Sequence, residues 1–407
     1  MTHSASDSTA ARPAPSAKEP GGMLYRLFAL IGVVFIAVAF FLPAWWVSLK
    51  APNYPEHTFP DGVRIHFHVD GVRNGCELRA SKEILEKEAL DCVHEMDTIN
   101  HFVGMFPIAS GGPVEKVFAP FLFSFLGLLA IGYAVPGRRA RLAVMGLGFA
   151  GVATWMTAAM FMPNGAALLG KGYISAMVES LGRAENETGA DAVENPIIKQ
   201  LRESLARSGI QVGDQPVAKP SEGASKAELL DILRKTYEKG QPVSLTETAP
   251  AWTGSGMQLF AWHYDKSLGR WFNEPERNGR LVKIMTSVAY LLYGAVLAAM
   301  LVFLWLARNA RSPLFWSLVL VPMILPIAFV IEYSGWLWWY GHSLNAMGAF
   351  TLKPFMPTVL GDGKVAQFST HSYPHLGFAM MCVASAALAI SALLRRNAIH
   401  AQEAREN

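Results

Sequence analysis

Six stretches of the chain carry almost no polar side chains: residues 24–48, 117–135, 142–162, 281–307, 313–333 and 374–394. Each is close to the roughly 20 residues that cross a bilayer as a helix. Backbone in hydrocarbon has to satisfy its own N–H and C=O groups, so each run is expected to be helical. The polar stretches between them follow other patterns. Alternation through Val63, Arg64, Ile65, His66, Phe67 and His68 predicts a short strand, with Asp-Gly turns at 61–62 and 70–71. Residues 80–96 and 174–208 read as helices. A further helix is expected over 225–240, where Ser225 and Glu228 form a capping box and Leu229, Leu230, Ile232 and Leu233 make a narrow apolar stripe. Residues 259–280 mix aromatic and charged side chains, as an interfacial helix does.

The short connections set the expected orientation. Arg138, Arg139 and Arg141 lie between runs two and three, Arg308 and Arg311 between runs four and five, and Arg395 and Arg396 after run six. All three places fall on one side if the chain alternates, and basic short loops stay in the cytoplasm. The expected fold class is an all-α polytopic membrane protein with six transmembrane helices and both termini cytoplasmic. Its extracytoplasmic inserts are one small strand-containing segment and one helical segment. The chain then divides into a cytoplasmic tail 1–22, a first span 23–49 read as an uncleaved signal anchor, and a periplasmic segment 50–116. A hairpin 117–162, a helical insert 163–280 and a second hairpin 281–333 follow. An outer segment 334–373 lying over the helix tops, a last span 374–394 and a tail 395–407 complete it. Trp45, Trp46, Trp155, Trp336, Trp338 and Trp339 fall near the outer interface, as aromatic belts do. No broken helix of the kind that holds transported ions is evident, although Pro322 and Pro326 kink or loosen the fifth run.

Composition narrows the function classes. Hydrophobic residues are 52% and charged residues 16%, where a soluble domain averages about 25% charged. A soluble enzyme is excluded as the whole molecule. A net charge of +3 leaves no footprint for nucleic acid. The chain has no HExxH, Walker A, GxSxG or CxxCH motif, so no catalytic residue is assigned. Cys76 and Cys92 both lie in the first outer segment. On an oxidising side they are expected to be bonded, leaving Cys382 free.

Histidine placement is the most informative chemistry. Of 11 histidines, all but His3 and His400 fall in or beside the outer segments. Imidazole suits copper and zinc, and thioether selects Cu(I). His371 and His375, four apart, share a face if the sixth helix starts early enough. His66 and His68 share one face of the expected strand. His101 with Met105 is another i, i+4 pair. His342 follows a run of aromatic residues. Against each stands a plainer account: interfacial anchoring for His342, His371 and His375, and an exposed strand face for His66 and His68. Haem and quinone stay open as ligands, since either needs only one or two histidines and an aromatic pocket. Met156 and Met160 are expected to pack in a core or against lipid.

Four motifs, APNYPE (51–56), INHFVGM (99–105), YGHSLN (340–345) and SYPHLG (372–377), appear in this order. Together they resemble a family of bacterial integral membrane proteins encoded beside nitrous oxide reductase and its copper-maturation proteins. The resemblance covers a small part of the chain and leaves 163–280 uncovered. Where the family carries acids before YGH, this chain has Leu337, Trp338 and Trp339. The resemblance implies a bacterial inner-membrane protein whose partners are lipid and a periplasmic copper enzyme or its maturation proteins. It singles out Tyr54, Glu56, Asn100, His101, Met105, His342, Asn345 and His375. The expectation is an accessory protein with copper bound by His101, Met105, His342, His371 and His375, and His66 and His68 as an intake or hand-off pair. A non-metal membrane anchor or scaffold and a small-molecule transporter are the competing readings.

Overall fold

The computed structural model describes residues 22–52, 56, 59–76, 84–85, 88–89, 113–175, 177–178, 224–239, 251–268, 275–343, 356–365 and 368–406. Their long helices are α1 (Met23–Phe41), α2 (Pro113–Ala134), α3 (Arg138–Phe161), α6 (Pro275–Leu306), α8 (Leu325–Ser343) and α9 (Leu376–Glu406). Shorter ones are α4 (Lys226–Lys239), α5 (Gly256–Trp262) and α7 (Ser317–Met323). Five helices are long and apolar enough to cross a membrane, or six if α7 and α8 count as one bent span. Such a set fits a multi-pass membrane protein.

Packing of the bundle follows from small residues and aromatic layers. α1 and α9 form its most extensive contact. Gly32 permits this, because a Cβ there would lie 2.8 Å from Leu388. α2 lies against α1, α3 and α7. Phe125 stacks on Phe149, and Thr157 hydrogen-bonds the Tyr293 hydroxyl at 2.8 Å to tie α3 to α6. Met156 and Met160 are fully buried in this core.

The arginine-bearing turns gather at one end of the bundle. Arg141 is 1% exposed and donates from Nε to the Ala307 carbonyl at 2.9 Å. Arg395 is equally enclosed, 4.2 Å from the Phe315 ring centre and 4.9 Å from that of Tyr133. Two of the basic residues of these short connections are thus packed as structural cations. Each satisfies carbonyls at the end of α6 or lies on aromatic faces.

The other end carries a sheet that the all-α expectation missed. Strands β1 (Trp45–Lys50), β2 (Val63–His68), β3 (Gly71–Asn74), β6 (Gly361–Val365) and β7 (Phe368–Pro374) form an antiparallel sheet in the order β3-β2-β1-β7-β6. The strand expected in the HFH segment is β2. The first apolar run does not remain helical to 48. It stops at Phe41, because Pro43 cannot continue the helical hydrogen bonding, and Trp45–Lys50 pairs as a strand instead. Trp45 then bolts sheet to bundle. Its Nε1 donates to Ser372 Oγ at 2.9 Å, and its ring packs on Tyr333 and Phe378 at 5.4 and 5.5 Å.

Four further expectations are corrected. Within 80–96 the described residues pair as strands, β4 (Ile84–Leu85) with β5 (Glu88–Ala89), rather than as one helix. A helix of that length is marginal without a packing face. The fifth run is broken: α7 and α8 meet at Ile324 with a 53° bend between Pro322 and Pro326. α8 also runs on to Ser343, so Trp336–His342 is a helix end rather than a loop over the helix tops. The last helix begins only at Leu376 and continues to Glu406, through most of the expected tail.

The helical insert is described in part. α4 has the expected capping box: Glu228 accepts from the Ser225 N–H at 2.6 Å, and Ser225 Oγ accepts from the Glu228 N–H at 3.3 Å. Leu229 and Leu233 are buried, and Tyr237 joins Trp252 and Trp262 in an aromatic cluster against α5. Residues 251–255 hydrogen-bond the turn after α3, which fixes this small subdomain to the sheet end of the bundle.

Candidate histidine site on the sheet

Strand alternation makes the site. In β2 the residues Val63, Ile65 and Phe67 are buried toward the bundle, while Arg64, His66 and His68 are half-buried. Across the sheet, His66 pairs with Trp46, which pairs in turn with Tyr373. Arg64 lies 4.5 Å from the Trp46 ring centre, and the Trp46 and Tyr373 rings are 5.5 Å apart. His375 follows β7, where its N–H is held by the Ala44 carbonyl at 2.9 Å. Its ring sits 5.0 Å from that of His66. Gly75 closes over this pair, with a hypothetical Cβ 2.8 Å from the His66 ring.

The environment keeps these imidazoles neutral. Burial, then His375 and Arg64, lower the His66 pKa to about 4. Burial, then Arg73, His66 and His375, bring His68 to about 4. His375 is lowered by burial and by Arg64. Its Nδ1 accepts from the Leu376 N–H at 2.8 Å. Nε2 of His66 and Nδ1 of His68 are buried without a hydrogen-bond partner. A neutral imidazole with an uncommitted ring nitrogen is the form that binds a transition metal. Among the described residues no group of three His, Cys, Asp or Glu side chains could hold an ion as it stands. His66 and His375 are thus neighbours across the edge of the sheet, with His68 two residues further along β2.

His371 does not share a helix face with His375. It lies on β7, and its Nδ1 is 2.6 Å from Asp362 Oδ1 on β6. The same carboxylate accepts from the Tyr373 hydroxyl at 3.0 Å. The His371 bond, then the Tyr373 bond, hold the Asp362 carboxyl below the usual carboxylate range. A carboxylate on Nδ1 leaves Nε2 as the acceptor, the arrangement that orients ligand histidines. His342 is turned back on its own helix, with Nδ1 2.7 Å from the Trp338 carbonyl and its ring stacked on Trp338 at 4.5 Å. Glu56 is exposed. His101, Met105, Tyr54, Asn100, Asn345 and Cys92 lie outside the described residues. Cys76 is disulfide-bonded, and Cys382 is free.

Sequence reading passed over a second buried group. His263, just after α5, has no exposed surface, and its Nδ1 is 3.4 Å from the Tyr173 hydroxyl. Burial, then the charge of Lys116, lower its pKa to about 3. Asp70 at the β2–β3 turn is also buried, and burial raises its pKa against the pull of Arg73 and Lys116. Only one isolated histidine in an aromatic run signals this group in the sequence.

Comparison with family models, curated proteins and solved structures finds no match to this chain. The reading of the site therefore rests on its geometry and chemistry.

Proposed function

We propose that this is an accessory protein of the bacterial cytoplasmic membrane that binds copper at its sheet. In this reading it supports copper supply to, or assembly of, a periplasmic copper enzyme such as nitrous oxide reductase. The observation that carries the reading is the His66–His375 pair, with ring centres 5.0 Å apart and the His66 Nε2 buried without a partner. A buried imidazole nitrogen without a partner costs stability unless something occupies it. Copper accepts imidazole readily, and a thioether such as that of Met105 would favour Cu(I). The basic turns, gathered at the far end, support a periplasmic sheet in this reading, since basic loops tend to stay inside. The enzyme named follows from the motif resemblance alone.

The break at Ile324 and the cavity beside it favour the transporter reading as the runner-up, since broken helices hold cargo in many transporters. The cavity lining is largely apolar, however, which suits no hydrated ion. Deleting the chain from its host and restoring it as wild type or as His66→Ala/His375→Ala separates these functions. The copper content of the periplasmic enzyme should fall on deletion, return with wild type and stay low with the double variant. Full copper content in the deletion strain overturns the proposal.

A further inference from the structure

A fixed charge stands beside the histidine pair. Arg64 and His66 are two apart on β2 and share its half-buried face. The backbone at Gly75 shows how near their side chains lie. A Cβ there would be 3.0 Å from Arg64 Cγ and 3.0 Å from His66 Nε2. The guanidinium is held from two sides. Its Nη2 is 3.4 Å from Asp61 Oδ1, and its carbon lies 4.5 Å from the ring centre of Trp46, the residue that pairs with His66 across the sheet. The Arg64 side chain is 24% exposed and that of Asp61 59%. Water therefore screens the carboxylate more than the guanidinium, and the pair has a net positive neighbour. Both imidazoles respond to it. After burial and His375, Arg64 lowers the His66 pKa, and after burial it lowers that of His375. Arg73, opposite His66 on β3, is exposed and bridged to Asp70 at 3.7 Å, so solvent weakens its influence.

A fixed cation sorts metal ions by their charge. Coulomb repulsion is proportional to the charge of the ion, so a dication meets twice the penalty of a monocation at the same point. The donors lean the same way. Neutral imidazoles bring no negative charge to offset a dication. Zn(II) closes its shell with four ligands, and no group of three His, Cys, Asp or Glu side chains is gathered among the described residues. Two carboxylates of the sheet end are already engaged, Asp61 with Arg64 and Asp362 with His371 and Tyr373. We propose that Arg64 determines the specificity of the histidine site, its charge favouring monovalent Cu(I) over divalent Zn(II) and Cu(II). The inference rests on metal binding at His66 and His375 as proposed above. It adds a reason for the choice of ion that the imidazoles alone do not supply, since they suit copper and zinc alike.

The test uses the full chain in detergent, titrated anaerobically with Cu(I) and separately with Zn(II), each against a competing chelator. Binding that His66→Ala/His375→Ala removes is counted as the site. Arg64→Gln keeps much of the stem and drops the charge. It should tighten Cu(I) about threefold and Zn(II) about tenfold, close to the square of the Cu(I) factor, because the Coulomb energy doubles with the charge of the ion. Arg64→Lys, which keeps the charge, should hold the ratio of the two affinities within about twofold of wild type. Asp61→Asn removes the counter-charge from an exposed side chain and should move the ratio the opposite way, against Zn(II). That variant carries the test if Arg64→Gln fails to give a monodisperse gel-filtration profile. Changes of equal size for the two metals, or a Zn(II) affinity that falls in Arg64→Gln, overturn the inference while leaving metal binding at the pair in place. Wild type that binds neither metal at the pair overturns both readings.

Discussion

Replacing His263 by Phe isolates a single buried titration. In the folded protein His263 stays neutral until about pH 3, whereas its unfolded value is 6.5. Its folded pKa is depressed, so the unfolded chain takes up the proton first as pH falls. Stability from this residue is complete above pH 6.5 and is lost on acidification toward pH 3. Between pH 7.5 and pH 5 the loss is about 2 kcal/mol, from 1.36 kcal/mol per pKa unit over the 1.5 units below 6.5. Full burial means little solvent screening of this shift. The imidazole packs against Tyr173 and feels the charge of Lys116. His66 and His68 titrate in both proteins and cancel in the difference, provided the sites are independent. The assay is the unfolding free energy from SDS titration in mixed micelles, at pH 7.5 and 5.0, for wild type and His263→Phe. The variant is expected to be less stable at pH 7.5, because the Tyr173 hydroxyl loses its partner, yet to lose about 2 kcal/mol less on acidification. Equal pH losses in the two proteins would refute the buried, neutral assignment.

Three further outcomes are expected. Gly32→Leu should separate α1 from α9 and destabilise the bundle by roughly 2 kcal/mol or more through overpacking against Leu388, read as a lower thermal midpoint in detergent. Mass spectrometry of unreduced protein should find Cys76 joined to Cys92 and one free thiol at Cys382, and a free Cys76 would contradict the bond. A reporter active only in the periplasm should work when fused after residues 80, 210 and 360 and be silent after 138 and 309; activity at 138 would reverse the proposed orientation.

Local signals in the chain carried far. The apolar runs, the Ser225–Glu228 cap and the alternation of β2 are each written within a few residues, and each is present in the fold. The sheet was out of reach for a different reason. β1 pairs with β7, so Trp46 meets Tyr373 across more than 300 residues, and no local pattern reports that. Apolar residues in Trp45–Leu49 fit a helix end as well as a strand, and only Pro43 hinted at the change. His371 and His375 at spacing four suggested one helix face. Pairing of β7 with β6 instead sends His371 to Asp362, and the irregular end of the strand sends His375 to His66. Pro322 and Pro326 announced a kink, but its depth depends on how α9 and α2 receive the two halves. His263 carried no motif at all; its character comes from burial by elements remote in sequence.

Copper binding at the sheet is tested most directly by a Cu(I) competition titration of the purified protein against a chromophoric chelator, with total metal determined in parallel. Wild type should take at least one Cu(I) per chain. His66→Ala/His375→Ala should weaken that site at least a hundredfold, since two of its ligands are gone, while gel filtration shows the bundle intact. His342→Ala should matter less, because among the described residues no hydrogen bond or ring contact joins that imidazole to the His66–His375 pair. Wild type that leaves the chelator fully loaded, or a double variant that binds copper as tightly as wild type, would contradict the account.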